Sequence, residues 1–335
     1  MSGSILIIQT ASLGDVILST ALAETIRRHR PGTAIDYLVK KGSETLFSGH
    51  PFVRNVLVWD KKGSKYGNLL TLAAIVRKNR YSEIINVQRF ASSGFLTAVS
   101  GAPVKSGFGK NPLSFFFNRI AEHSIADNNG GIHEITRNHA LIRHLNIEKP
   151  ERPRLYPTAT DYETAGHWGK GTYITISPAS LWFTKQLPAH KWIGLCDVLS
   201  SKINIVLLGS EADKMLCADI AYRSKRNDII NLAGVLSMLQ SAALMEGAIM
   251  NYVNDSAPMH LASSVNAPVA AVYCSTIPAF GFGPLSDVSH IVEATESPDC
   301  RPCGLHGHKS CPMGHFECAE KIEIQQLINV LPTNG

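Results

Sequence analysis

Twice along this chain, apolar runs of strand length alternate with amphipathic stretches of helix length. That double series limits the fold more than any single motif does. In the first series "SILIIQT" (4–10), "AIDYLVKK" (34–41), "VRNVLVWD" (53–60) and "SEIINVQ" (82–88) read as strands. Between and after them, "GDVILSTALAETIRRHR" (14–30), "YGNLLTLAAIVRKN" (66–79) and "GIHEITRNHALIRHLNI" (131–147) read as helices. The pattern loosens over 150–171 and then restarts with "YITISP", "INIVLLG", "DIINLAG", "GAIMNYV" and "PVAAVY" as strands. The helices of this second series are expected at 188–201, 211–224, 237–247 and 257–265. Strands that alternate with helices form parallel sheets covered on both faces, so the chain predicts an α/β protein with two doubly wound domains. We place them at 1–160 and 161–335, with a cleft between them.

At 335 residues, each half is long enough to bury its own core. The apolar runs are far shorter than the eighteen-odd residues of a membrane-spanning helix. No basic segment followed by an apolar stretch opens the sequence, and seven cysteines suit a reducing compartment, so a cytoplasmic location is expected. Charge is divided unevenly. Residues 1–165 carry 21 Lys and Arg against 13 Asp and Glu, whereas the remainder carries 11 against 14. A basic first half attracts something anionic, or it reflects cations gathered at helix C-termini. Nucleic acid is not the expected partner, because no aromatic-interleaved basic motif or known binding signature accompanies the charge.

Four turns carry the polar residues. "QTASLGDV" (9–16) joins the first strand to the first helix: Gly14 permits a tight turn, and Asp15 stands at the helix start as a capping acid or a catalytic one. "SPASLWFTKQLP" (177–188) offers Ser180, Thr184 and Lys185 to phosphate oxygens. "LLGSEAD" (207–213) places Glu211 past a strand end, where a carboxylate accepts from ribose hydroxyls. "NDSAPMHLASSV" (254–265) sets Asp255, Ser256, Ala257, Met259 and His260 at a helix start, which is either a plain capped turn or an anion site built from N–H groups. Neither a Walker A sequence nor a dinucleotide GxGxxG is present.

Taken together, these segments resemble glycosyltransferase family 9, the ADP-heptose:lipopolysaccharide heptosyltransferases. "SLGDVILSTALAETIRRHRPGTAIDYLV", "YSEIINVQ", "TKQLP", "VLLGSEAD", "NLAG" and "NDSAPMHLASSVNAPVAAVY" follow the family's order over nearly the whole chain. Ala257 stands where glycine is usual in the family, and "YCSTIP" replaces a typical Phe-Gly-x-Thr. The resemblance implies a GT-B fold with two Rossmann-like domains and a last helix, about Cys318–Leu331, that often crosses back to the first domain. It implies inverting transfer of a heptose from a nucleotide-diphosphate sugar to the anionic inner core of lipopolysaccharide, with peripheral contact at the inner-membrane surface. Asp15 would be the base in the acceptor domain. Lys185, the N–H groups of the helix start, Ser256 and His260 would hold the diphosphate, and Asp255 would cap the backbone and take donor-sugar hydroxyls, with Ser180, Thr184 and Glu211 completing the donor site and no cofactor required.

The tail "CRPCGLHGHKSCPMGHFEC" resembles the Cys-rich end of members similar to the second heptosyltransferase. Cys300, Cys303, Cys311 and Cys318 could hold a structural zinc ion, pair as disulfides or stay free thiols in a loop, and one CxxC with two scattered cysteines is a weaker zinc signal than paired CxxC motifs. Two other classes stay open at this stage: an idle nucleotide-sugar-binding protein, which should lack the base, and a metal or redox sensor built on the tail.

Overall fold

The apolar runs become fully parallel strands in the computed structural model, which describes residues 3–62, 65–125 and 131–332. Contacts divide the chain between Tyr156 and Pro157 into two units. The first unit contains β1 (Ser4–Ile8), α1 (Leu13–His29), β2 (Ala34–Lys40), β3 (Val53–Trp59), α2 (Lys65–Lys78), β4 (Glu83–Asn86), α3 (Ala91–Val99), β5 (Val104–Phe108), β6 (Arg119–Ala121) and α4 (Glu134–His139). Its sheet order is β3-β2-β1-β4-β5-β6. The second unit contains α5 (Ala159–Trp168), β7 (Tyr173–Ser177), α6 (Ala189–Val198), β8 (Asn204–Leu207), α7 (Lys214–Arg223), β9 (Ile230–Asn231), α8 (Met238–Gly247), β10 (Met250–Asn254), α9 (Ala257–Ser264), β11 (Val269–Val272), β12 (Ser289–Val292), α10 (Glu317–Glu320) and α11 (Ile324–Ile328). Its order is β12-β11-β10-β7-β8-β9, so each sheet repeats the 3-2-1-4-5-6 arrangement counted from its own first strand.

Both sheets are covered on two faces, which is why their central strands are continuously apolar rather than alternating. Leu6, Ile8, Leu38 and Ile84 pack with Trp59 on one face of the first sheet. Ile174, Ile176, Ile205, Tyr252 and Val272 centre the larger core of the second. Burying each such aliphatic side chain contributes roughly 1.5–3 kcal/mol.

Three readings of the sequence change. The helix expected over 131–147 is α4 followed by a 3-10 segment at Ala140–Leu145 that ends on Asn146 in the left-handed region. The loosened stretch 150–171 holds α5, started by a Thr158–Asp161 capping box. The single last helix is two short ones, because Ile322 between them is fully buried and Glu323 starts a new capping box with Gln326. Both pack into the second unit's own core through Cys318, Ala319, Ile322 and Leu327.

The chain leaves the first unit along α1. Thr25 Oγ1 accepts from the Glu151 amide at 2.9 Å, Thr20 Oγ1 from the Arg154 amide at 2.9 Å, and Glu24 from the Tyr156 hydroxyl at 3.0 Å. Burial outweighs that hydroxyl and raises the Glu24 pKa from 4.5 to about 6. A carboxyl whose pKa is raised on folding favours the folded state below its unfolded pKa, and that contribution is lost as pH rises through the folded one. Glu24→Gln is therefore expected to leave stability at pH 4 nearly unchanged and to raise it above pH 6. Urea melts across that range check the result.

Candidate functional site

In an open parallel sheet, ligands bind beyond the strand carboxyl ends where the strand order reverses. In the second unit that point lies between β7 and β10, which pair directly. The loop after β7 carries Lys185 and the turn after β10 carries Asp255, and the fold brings the two together. Lys185 Nζ lies 2.6 Å from Asp255 Oδ2, with only 14% and 9% of the two side chains exposed. The Thr276 hydroxyl donates to the same oxygen at 2.6 Å.

Asn254 fixes this meeting. Its Oδ1 accepts from the Leu187 amide at 2.9 Å and its Nδ2 donates to Pro178 O at 2.7 Å, so one side chain ties both ends of the Lys185 loop to β10. Arg301 does the same for Thr276: its Nη2 donates to Thr276 O at 2.7 Å and to Glu293 at 2.6 Å. Sequence reasoning gave no such role to Asn254, Thr276 or Arg301. Asn254 left a signal, being a polar residue closing the buried strand "MNYVN".

At the start of α9, the N-cap is Ser256, not Asp255, and no side chain caps the helix. The Ser256 hydroxyl instead donates back to Asn254 O at 3.3 Å. Ala257 takes the first helical position and Pro258 the next, a position where proline loses nothing. An uncapped start keeps the positive end of the helix dipole beside the Lys185–Asp255 pair.

The other expected donor residues separate. Met259 is fully buried and its sulfur accepts from the Tyr273 hydroxyl at 3.3 Å, so it is core. His260 is also buried within α9. Thr184 does not face outward: its Oγ1 accepts from the His308 amide at 2.7 Å and from Ser275 Oγ at 3.0 Å, which staples the tail to the Lys185 loop. Ser180 is half-buried, and its carbonyl accepts from Gln186 Nε2. Glu211 is exposed beyond β8 and pairs with Lys214 at 3.3 Å. It lies against Gly234, which has φ +78° and where a Cβ would sit 2.9 Å from Glu211 Cα, so this close approach requires glycine.

In the first unit the reversal lies between β1 and β4. Asp15 follows β1 and completes a capping box with Ser12, its Oδ2 accepting from Ser12 Oγ at 2.6 Å and from the Ser12 amide at 3.1 Å. Gln9 and Gln88, at the carboxyl ends of the two strands, are buried and hydrogen-bonded to each other. Lys61 reaches Thr10 O at 2.9 Å from the end of β3. Arg77 lies in the last turn of α2 and Arg80 leads toward β4, which puts both at the opposite, amino edge of the sheet. Arg27 and Arg28 end α1 at that same edge, with Arg28 paired to Glu151 at 2.7 Å. The basic stretches therefore occupy two edges rather than one face, because a crossover helix must return its C-terminus to the start of the next strand.

The tail does not assemble a metal centre. Among the described residues, no group of three or more His, Cys, Asp or Glu is placed to hold a metal ion, so zinc at Cys300, Cys303, Cys311 and Cys318 is unsupported. No cysteine among the seven forms a disulfide. Cys300 Sγ lies 3.9 Å from His315 Nε2, and Cys303 Sγ turns to Cys300 O at 3.6 Å. Burial pushes the Cys318 thiol up to about 11.

The sequence model of glycosyltransferase family 9 (heptosyltransferase) matches residues 69–312. The chain is 24% identical to lipopolysaccharide heptosyltransferase 3 of Escherichia coli over 277 residues, covering 78% of this chain and 81% of that one. It is 25% identical to lipopolysaccharide heptosyltransferase 1 of Pseudomonas aeruginosa over 315 residues, 89% and 85% of the two chains. Among solved structures, it superposes on ADP-heptose lps heptosyltransferase II of E. coli with TM-score 0.80 at 20% identity, over 98% and 97% of the chains. A glycosyl transferase family 9 protein of Veillonella parvula gives TM-score 0.85 at 20% identity, over 98% and 96%. With the family's sequence model spanning most of the chain and two parallel Rossmann-like sheets of the GT-B type, this protein is an enzyme of glycosyltransferase family 9.

Proposed function

We propose that this enzyme transfers a heptose, with inversion, from ADP-heptose to the inner core of lipopolysaccharide at the cytoplasmic side of the inner membrane. The observation that carries the reading is the buried Lys185–Asp255 pair beside the uncapped start of α9. It supplies an ammonium and a helix dipole for a diphosphate, with a carboxylate next to them for sugar hydroxyls. The names of two relatives, both lipopolysaccharide heptosyltransferases, favour heptose transfer to lipopolysaccharide, and the name of one similar structure includes ADP-heptose.

In this reading the second unit holds the donor and the first holds the acceptor and the base. An acceptor hydroxyl attacks the anomeric carbon from the face opposite the leaving group, which inverts that centre. Its proton goes to Asp15, which the Ser12 amide and hydroxyl hold in place through Oδ2. The anomeric C–O bond breaks toward ADP, which leaves with the electron pair. Lys185 and the α9 dipole meet the charge that develops there, so the step needs no divalent cation. Glu211, beyond β8, takes the ribose hydroxyls. The direct test incubates the enzyme with ADP- and UDP-linked sugars and a heptose-deficient core acceptor, and identifies the product by mass spectrometry. Release of UDP, or transfer of a hexose in preference to a heptose, refutes the donor assignment.

The first unit carries 21 cationic against 11 acidic residues, and an anionic acceptor follows from that balance. Of the basic stretches, Lys61–Lys62 follows β3 at the carboxyl edge of the sheet, where α1 begins with Asp15. Lys61→Glu and Lys62→Glu are expected to raise the acceptor KM several-fold at low salt. Arg77→Glu and Arg80→Glu, at the amino edge, should leave it unchanged. Raising the salt from about 0.1 M to 1 M shortens the screening length from about 10 Å to 3 Å and should erase the difference. Equal effects at both edges would mean that overall charge, not this edge, recruits the acceptor.

A further inference from the structure

The edge of the first sheet combines exposed aromatics with a net positive charge. Residues 84–121 contain six of the chain's twelve phenylalanines and four Lys or Arg, and no Asp or Glu. Within "SFFF", Phe117 turns inward and is buried, its ring packed where a Cβ on Gly107 would lie 2.6 Å away. Phe115 and Phe116 turn outward, 72% and 51% exposed, with their rings 4.4 Å apart. Ile120 on β6, an edge strand, is 59% exposed, and Phe90 at the start of α3 is 64% exposed. Arg89, Lys110 and Arg119 are exposed neighbours of these residues in sequence.

This surface is held in shape by hydrogen bonds. Asn111 Nδ2 donates at 3.1 Å to the carbonyls of both Gln88 and Phe90, which joins the β4 loop to the β5 loop. Ser114 Oγ donates to Gly109 O at 3.1 Å and closes the turn that presents Phe115. Exposed apolar clusters mark interaction surfaces, and Arg89, Lys110 and Arg119 against the exposed Glu122 leave a net positive charge that favours an anionic partner. Among the described residues, no helix is long and apolar enough to cross a membrane, so contact with a bilayer would be made from its surface.

We propose that Phe90, Phe115, Phe116 and Ile120 insert into the interface of an anionic phospholipid bilayer, with Arg89, Lys110 and Arg119 on its headgroups. Aromatic rings settle at that depth, and each cation near an anionic surface strengthens binding about fivefold. The inference does not require the glycosyl-transfer reading, because vesicle binding is measured without nucleotide sugar or acceptor. The surface lies on the same unit, and toward the same strand ends, as Asp15, so adsorption would present that unit to a membrane-anchored glycolipid.

The test is flotation of the full chain with vesicles of phosphatidylethanolamine and phosphatidylglycerol, against phosphatidylcholine alone. The wild type should float only with the anionic vesicles. F115S/F116S should bind at least about tenfold more weakly, the size expected when two exposed rings no longer enter the interface. R89Q/K110Q/R119Q should bind at least as weakly at low salt and converge with the wild type at high salt. Both side-chain sets are exposed, so unchanged thermal melts confirm that the variants fold. Equal binding to both vesicle types, no binding to either, or retained binding by F115S/F116S overturns the proposal. So does a wild-type dimer in sedimentation that F115S/F116S abolishes, which would make this face an interface between two copies.

Discussion

Asp15→Asn is expected to lower turnover by about a hundredfold or more while leaving the ADP dissociation constant within about twofold. The substitution keeps the size of the side chain and removes its capacity to take a proton. It also retains one carbonyl oxygen to accept from Ser12, whose amide and hydroxyl now lie 3.1 and 2.6 Å from Oδ2. The helix cap therefore survives in large part, and replacing a capping acid costs at most about 1–2 kcal/mol. That separation matters because Asp15 has two roles in one carboxylate. Ser12→Ala supplies the control: it removes the hydroxyl half of the capping box, so it should lower the melting temperature with little loss of turnover. If Asp15→Asn and Ser12→Ala reduce turnover alike, Asp15 is only a cap and the base lies elsewhere.

The sequence displayed Asp15 as both cap and candidate base, and the structure keeps both roles open because α1 begins at the sheet's reversal point. Periodicity was legible wherever strands are buried on both faces, as in "SILII" and "INIVLLG". It failed over 91–121, where α3 is short and β6 is an exposed three-residue edge strand, so neither leaves a strong apolar pattern. The sequence singled out both Lys185 and Asp255 at a separation of seventy residues, and the 3-2-1-4-5-6 order makes them neighbours. What the sequence did not show is where Thr184 and Met259 turn. Their residue types fit a phosphate site and a helix start, but the Thr184 hydroxyl is consumed by a tail loop 124 positions away, and Met259 is turned into the core by helical phase. The basic stretches misled for a related reason: successive stretches end at different edges once helices run back antiparallel to strands.

Lys185 and Asp255 should respond in opposite senses. In the ligand-free protein the ammonium is held by Asp255 at 2.6 Å, and both groups are mostly buried, so each neutralises a charge that water cannot reach. Lys185→Ala removes the cation and leaves the carboxylate near the diphosphate site. Two losses then combine, the missing contact and the repulsion newly exposed, and ADP binding is expected to weaken by more than tenfold. Turnover should fall further, since a cation that meets leaving-group charge contributes about 2–4 kcal/mol to the transition state. Asp255→Asn releases Lys185 from its partner and removes a negative charge from the neighbourhood. Thr276 can still donate to the amide oxygen that this substitution leaves in place, so the turn after β10 keeps its shape. ADP should therefore bind as tightly or more tightly, while turnover drops because the sugar loses a carboxylate acceptor. Calorimetry with ADP on the two single variants and the double variant decides the matter. In the double variant the repulsion is absent along with the cation, so its affinity should lie between those of the two singles. If Asp255→Asn weakens ADP as much as Lys185→Ala does, the pair is a structural clamp between β7 and β10, and the diphosphate is held by other groups.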